Sequence, residues 1–196
     1  MNNLSIYLFS SFCISFLWLI YRKRSFSSIS LCFYHILFGA FFVYYTLNNS
    51  SDAQEYYDLG SLSSCSFTDS LNRFDMTNPY LIFCFSGLLK KLFNNYGFVS
   101  SIFSFLGFLG LNYFYTFSKK FVDNKNFESY LVNIVFFLPS ISFWTSGITK
   151  DTLMIFAYSL IFKFVTDDHL KINKYFFSFI SGSFLIFFIR PYSFIF

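Results

Sequence analysis

Six apolar runs divide the chain and leave few residues for a water-facing surface. A helix needs about 20 mostly apolar residues to cross the hydrocarbon core of a bilayer. Only 12% of the residues are charged, against about 25% in a soluble domain. We therefore predict an all-α, polytopic membrane protein, with residues 1–196 forming a single transmembrane domain of about six helices. The expected spans are 4–21, 29–47, 97–117, 130–147, 153–166 and 175–189.

Basic residues between the apolar runs predict the orientation of the chain. Three clusters fall on one side if there are six spans, and the positive-inside rule makes that side cytoplasmic. The N-terminus and the loop 48–96 are then outside. Residues 1–5 carry no positive charge, so we interpret the first run as a retained helix and not a signal peptide. The three clusters are Arg22, Lys23 and Arg24; Lys119, Lys120 and Lys125; Lys163, Lys171 and Lys174.

The external loop contains an apolar stretch too short to span the membrane. Residues 80–89 are apolar, and Lys90 and Lys91 follow them. We interpret 78–93 as an interfacial helix whose lysines extend to the lipid headgroups. A spanning helix here would move Lys119, Lys120 and the later loops to the opposite side, against the charge rule.

The same loop begins with a cluster of acidic and aromatic residues. If residues 52–58 are helical, Asp52 and Tyr56 share one face, as do Glu55 and Asp58. A carboxylate just outside a membrane helix can act as a general base or hold a divalent cation. The alternative interpretation is a solvated acidic loop, so a cation is not required.

A second candidate segment covers residues 139–151. Pro139 and a glycine interrupt an apolar run, and Trp144 is placed for the membrane interface. Thr149 is suited to cap the next helix, with Asp151 in its first turn. Lys150 could then meet an anionic phosphate at the membrane surface, although a tight turn with an interfacial lysine explains the pattern equally.

Arg190 at the outer end of the last run is the third candidate, because its planar fork matches phosphate geometry. Taken alone, Arg190 is better explained as a charge that extends out from a helix end. Together, Asp52, Lys150, Asp151 and Arg190 are all predicted on one membrane face. We expect His35, inside the second run, to be neutral and hydrogen-bonded to a neighbouring helix, without a functional role.

Several classes of function find no support in the sequence. The net charge of +4 occurs in separate clusters, so we expect no nucleic-acid partner. No Gly-rich phosphate loop, zinc-ligand spacing or nucleophile elbow is present. Three of the four cysteines lie in apolar runs, and their spacing predicts neither a metal site nor a disulfide framework. The four are Cys13, Cys32, Cys65 and Cys84.

Three motifs resemble the polyprenyl-phosphate-sugar-dependent membrane glycosyltransferases of the GT-C class and related surface-polysaccharide polymerases. They are DAQEYY at 52–57, the stretch from NPY at 78–80 to LFNNYG at 92–97, and FWTSGITKD at 143–151. Members of that class are longer, with more spans, and often have a second acidic residue in a later loop that we do not place here. A fragment of a longer protein is therefore an expectation.

The resemblance implies an enzyme of extracytoplasmic glycan or polysaccharide assembly, in a bacterial inner (plasma) membrane, with membrane lipids and a polyprenyl-phosphate-linked sugar as partners. It implies Asp52 as the catalytic carboxylate, with Lys150 and Arg190 stabilising the phosphate leaving group. We expect Glu55, Tyr56, Asp58 and Asp151 to contact the substrate as well.

Two other functions stay open at this point. A transporter or flippase subunit would place polar groups near the bilayer midplane on broken helices, whereas the candidate groups here lie at the outer rim. An accessory membrane protein without a catalytic site is the third hypothesis.

Overall fold

A computed structural model describes residues 2–22, 26–60, 80–122, 127–166 and 172–190. Within these ranges the chain forms helices and no strand, which confirms the all-α prediction. In chain order the helices are α1 (Asn3–Arg22), α2 (Phe26–Asn48), α3 (Asp52–Gly60), α4 (Tyr80–Phe93), α5 (Tyr96–Phe121), α6 (Phe127–Phe136), α7 (Pro139–Trp144), α8 (Lys150–Thr166) and α9 (Ile172–Ile189).

Four of the six predicted spans are long and apolar enough to cross a membrane. They are Asn3–Tyr21, Phe26–Asn48, Tyr96–Phe121 and the combined segment Phe127–Trp144. The last two predicted spans fall on α8, which has 17 residues, and on α9, whose apolar part is the shorter stretch Phe176–Ile189. Large apolar side chains on α1 and α2 are exposed, among them Phe9, Leu17 and Phe41, as expected of surfaces that face lipid.

The fourth predicted span is interrupted at Pro139 and forms two helices. Proline has no N–H to donate, and it disfavours helical geometry in the preceding residue. Leu138 is accordingly extended, with φ −66° and ψ 127°, and α7 begins at Pro139. The Tyr34 hydroxyl on α2 donates to the Phe137 carbonyl at 2.6 Å. This bond satisfies a backbone acceptor at the break.

Helix α5 lies at the centre of the bundle and packs against α1, α2 and α8. Glycines permit this close packing: Gly97 faces the backbone of Asn3, and Gly107 faces the carbonyl of Thr145. A side chain at either position would overlap the facing backbone. The hydrophobic core near the candidate site includes Phe42, Val99, Phe103, Ile148 and Leu153.

A buried polar cluster joins α1, α2 and α5 inside the bundle. The His35 ring Nε2 hydrogen-bonds the Ser104 carbonyl at 3.1 Å, and the Tyr7 hydroxyl contacts Ser104 Oγ at 2.9 Å. Ser146 also contacts the His35 ring. The prediction that His35 bonds to a neighbouring helix is confirmed, and the cluster ties α2 to the segment that follows α7.

Helix α4 occupies most of the predicted interfacial segment 78–93. Its Ile82 and Ser86 are buried, and the Ser86 hydroxyl donates to the Tyr56 carbonyl on α3 at 2.6 Å. Leu88 and Leu92 are exposed on the other side. The described part of this helix is therefore amphipathic and docked on α3, while its position at a membrane surface stays a prediction.

Candidate functional site

A cavity of about 400 Å³ opens at the end of the bundle where α2 and α9 end and where α3 and α8 begin. Five of the residues singled out from the sequence line it together, although they lie up to 138 positions apart (190 − 52). They are Asp52, Tyr56, Lys150, Asp151 and Arg190; the remaining lining residues are Phe42, Tyr45, Thr46, Ser50, Ser51, Ala53, Trp144 and Thr149.

Asp52 is the first residue of α3, so the acidic segment is helical. The Ser51 carbonyl accepts the first backbone bonds of this helix, from the N–H groups of Gln54 at 3.0 Å and Glu55 at 3.2 Å. Ala53 and Tyr56 are buried, so α3 is anchored while Asp52 stays exposed at the cavity. The Asp52 carboxylate has no hydrogen bond or ion pair to another residue that the structure describes.

Lys150 begins α8, directly after an irregular buried segment. The Thr149 hydroxyl accepts from the Thr152 N–H at 3.1 Å, which confirms the predicted cap, and it also donates to the Trp144 carbonyl at 2.8 Å. Gly147 lies against the Phe42 ring, and a Cβ at this position would overlap that ring. These contacts fix the backbone, and the Lys150 ammonium has no ion-pair partner in the described part of the chain.

Arg190 and Asp151 form an ion pair of 2.8 Å between the end of α9 and the first turn of α8. Their side chains are 34% and 48% exposed, respectively, so the pair borders the cavity and is partly solvated. The sequence predicts that both residues contact a substrate. Instead, Asp151 is the counter-ion of Arg190, which leaves Lys150 as the unpaired cation among the described lining residues.

The Tyr56 hydroxyl is held as a neutral donor. Burial raises its pKa to about 12, assisted by the negative charges of Asp52, Glu55 and Asp151 and opposed by the positive charge of Arg190. An ionised phenol is therefore excluded at neutral pH. Tyr56 can donate a hydrogen bond to an anionic ligand beside Asp52.

Glu55 and Asp58 do not line this cavity. Glu55 lines a separate depression of about 360 Å³ with Ser50, Ser51, Asp52 and Gln54, so Asp52 borders both spaces. Asp58 pairs with Lys90 at 2.9 Å, and the Lys90 ammonium lies 4.3 Å from the centre of the Tyr57 ring. In the structure Asp58 is therefore paired with Lys90 on α4 and lies outside the cavity. The prediction that Asp58 contacts the substrate is not supported by this position.

The described residues contain no cluster of three or more His, Cys, Asp or Glu side chains that could hold a metal ion. Asp52 and Glu55 are the two carboxylates that border the depression. The divalent cation stays a hypothesis.

An apolar groove of about 440 Å³ adjoins the cavity. The two spaces share Trp144, Asp151 and Arg190. Along α8 the groove follows one helical face from Asp151 to Tyr158, seven steps that cover about 10 Å at 1.5 Å per residue. Sequence reasoning missed this groove, although the 3- and 4-residue spacing of its α8 residues is visible. Its other lining residues are Ser140, Ile141, Thr145, Met154, Ile155 and Tyr158.

Cys84 on α4 is disulfide-bonded, and its partner lies outside the described residues. Cys13 and Cys32 are free thiols. The cysteine spacing in the sequence did not predict this disulfide.

Comparisons with known proteins found no match. No family model matches the chain, and neither the curated proteins nor the solved structures contain a significant match. The resemblance to GT-C glycosyltransferases stays a hypothesis that rests on the three motifs.

Proposed function

We propose that this chain is an integral membrane glycosyltransferase or polymerase that uses a lipid-linked sugar in extracytoplasmic glycan assembly. The observation that carries the proposal is the continuity between a charged cavity and an apolar groove. A polar head and an apolar chain are the two parts of an amphiphile, and each of the two spaces suits one of them. A lipid that carries a phosphate-linked sugar fits both.

Each charged group has a separate role in the proposed reaction. Asp52 accepts the proton of an acceptor hydroxyl, which attacks the anomeric carbon of the sugar. The bond between that carbon and the phosphate oxygen breaks, and the leaving phosphate keeps the electron pair. Lys150 and the Tyr56 hydroxyl, which line the same cavity, stabilise the charge on this phosphate. The lipid chain lies in the groove beside Met154 and Tyr158.

The orientation in this proposal follows the charge rule. Six helices cross the membrane, with the N-terminus and the loop 48–96 outside, in a bacterial inner membrane. The disulfide at Cys84 supports an outer position for α4, because disulfides persist in oxidising compartments. The depression beside Asp52 is lined by polar side chains and suits a hydroxyl-bearing acceptor approaching from that side.

A mutational series in the native host tests the proposal. Asp52→Asn and Lys150→Gln should abolish glycan assembly at normal protein abundance. Asp58→Asn is the matched control, because it removes a carboxylate from the same helix outside both the main cavity and the depression. Glycan at wild-type level in Asp52→Asn cells would contradict the proposal.

A further inference from the structure

The charged residues that line the cavity affect which kind of lipid phosphate it can bind. Asp52 and Asp151 are negative, Lys150 and Arg190 are positive, and all four line the same space. Their formal sum is zero (two negative and two positive charges). Since Arg190 is already paired with Asp151 at 2.8 Å, Lys150 is the cation available for a ligand among the described lining residues.

The Arg190–Asp151 pair also stands where the two spaces meet. Both residues line the cavity and the groove, as does Trp144. A phosphate group that links an apolar chain in the groove to a sugar in the cavity must therefore lie beside the pair. The electrostatics of the pair act at the position of the phosphate linkage.

We propose that Asp151 makes this site selective for lipids with a single phosphate linkage over lipids with a diphosphate linkage. This inference rests on the proposed function, since it concerns the same lipid-linked sugar. A phosphodiester carries one negative charge, which Lys150 matches. A diphosphate diester carries two negative charges. The second charge can bind Arg190 only if it displaces the Asp151 carboxylate, and that carboxylate then repels the second charge.

The expected selectivity is moderate because the pair is partly exposed. Solvated ion pairs contribute little, so the preference for the monophosphate should be roughly fivefold in dissociation constant. Replacing Asp151 with Asn frees Arg190 without changing the shape of the side chain. The Asp151→Asn protein should then bind the diphosphate more tightly than the monophosphate.

Binding of two synthetic probes tests the inference. The probes are a prenyl phosphate methyl diester and the corresponding prenyl diphosphate methyl ester with the same chain, titrated calorimetrically into the purified full chain in detergent. Asp58→Asn is the matched control, because it breaks the exposed Asp58–Lys90 pair outside the cavity. It should leave the wild-type preference unchanged.

A double variant guards against an indirect effect. Asp151→Asn with Arg190→Gln removes the freed cation, so the preference should return to the monophosphate. If Asp151→Asn does not fold, the single variant Arg190→Gln should still bind the monophosphate probe more tightly than the diphosphate probe, as wild type does. Wild-type protein that binds the diphosphate as tightly as the monophosphate overturns this inference alone. Folded wild-type protein that binds neither probe overturns the proposed function as well.

Discussion

Arg190 donates to the Asp151 carboxylate across 2.8 Å, so the end of α9 is joined to the first turn of α8. Each charge also opposes the partial charge of its own helix end, since an anion is favoured at a helix N-terminus and a cation at a C-terminus. The pair thereby gives Arg190 a structural partner. Lys150, one residue before Asp151, is left to meet a ligand.

Tyr56→Phe should weaken binding of a lipid phosphate by about five- to tenfold, the loss expected for one hydrogen bond of about 1–1.4 kcal/mol. Because the pKa of Tyr56 is about 12, its phenol stays protonated through neutral and mildly alkaline pH, and the loss should not vary with pH there. Titration of the monophosphate probe at several pH values measures this. Tyr44→Phe on exposed α2 surface serves as the control. A loss that disappears at mildly alkaline pH would show that the phenol ionises in that range.

Gly147→Ala should destabilise the protein by roughly 1–3 kcal/mol, as overpacking does in a filled core. The added methyl overlaps the Phe42 ring, which is buried and packed edge-on against Phe143. Thermal unfolding in detergent checks the effect, with exposed Ser140→Ala as the control. An unchanged melting temperature in Gly147→Ala contradicts the packing described here. Probe binding should weaken too, because Lys150 follows this segment.

Tyr34→Phe should lower the free energy of unfolding by about 0.5–1.5 kcal/mol, the net contribution of one hydrogen bond. The hydroxyl that it removes satisfies the Phe137 carbonyl at the break before Pro139. Denaturant titration in micelles measures the change. Tyr44→Phe, exposed on the same helix, should have no effect, and equal stability of the two variants would mean that the bond contributes nothing.

Thiol counting tests the disulfide at Cys84. The chain has four cysteines, and Cys13 and Cys32 are free. Protein purified from the membrane and denatured without reductant should therefore add two maleimides, and reduced protein should add four. Cys84→Ser should add three without reductant, because it releases the partner thiol. Four additions to unreduced wild-type protein would remove the support that the disulfide gives to the orientation.

Local sequence patterns predicted the local features of this protein well. The apolar runs predicted helices, and Thr149 before Lys150 predicted the start of α8, because capping depends on residues within one turn. The sequence predicts Asp52, Lys150 and Arg190 on one membrane face, and in the structure all three line one cavity. Each of these inferences uses spacing along the chain, which the sequence contains directly.

The partners of individual charges could not be predicted in this way. Arg190 and Asp151 are separated by 39 positions, and Asp58 and Lys90 by 32. Such pairs depend on how helices rotate against each other, which close contacts such as Gly60 on Gly87 determine. The apolar groove could not be predicted for the same reason, because its lining comes from both α7 and α8.

The most direct test of the central claim is transfer by the purified full chain in liposomes. A prenyl phosphate carrying a radiolabelled sugar would be supplied with a hydroxyl-bearing acceptor, and release of label from the lipid would be measured for wild type, Asp52→Asn and Asp58→Asn. We predict that wild type and Asp58→Asn transfer the label, whereas Asp52→Asn binds the donor but does not release the sugar. Equal release by Asp52→Asn and wild type, or movement of intact donor across the bilayer without release, would contradict the account.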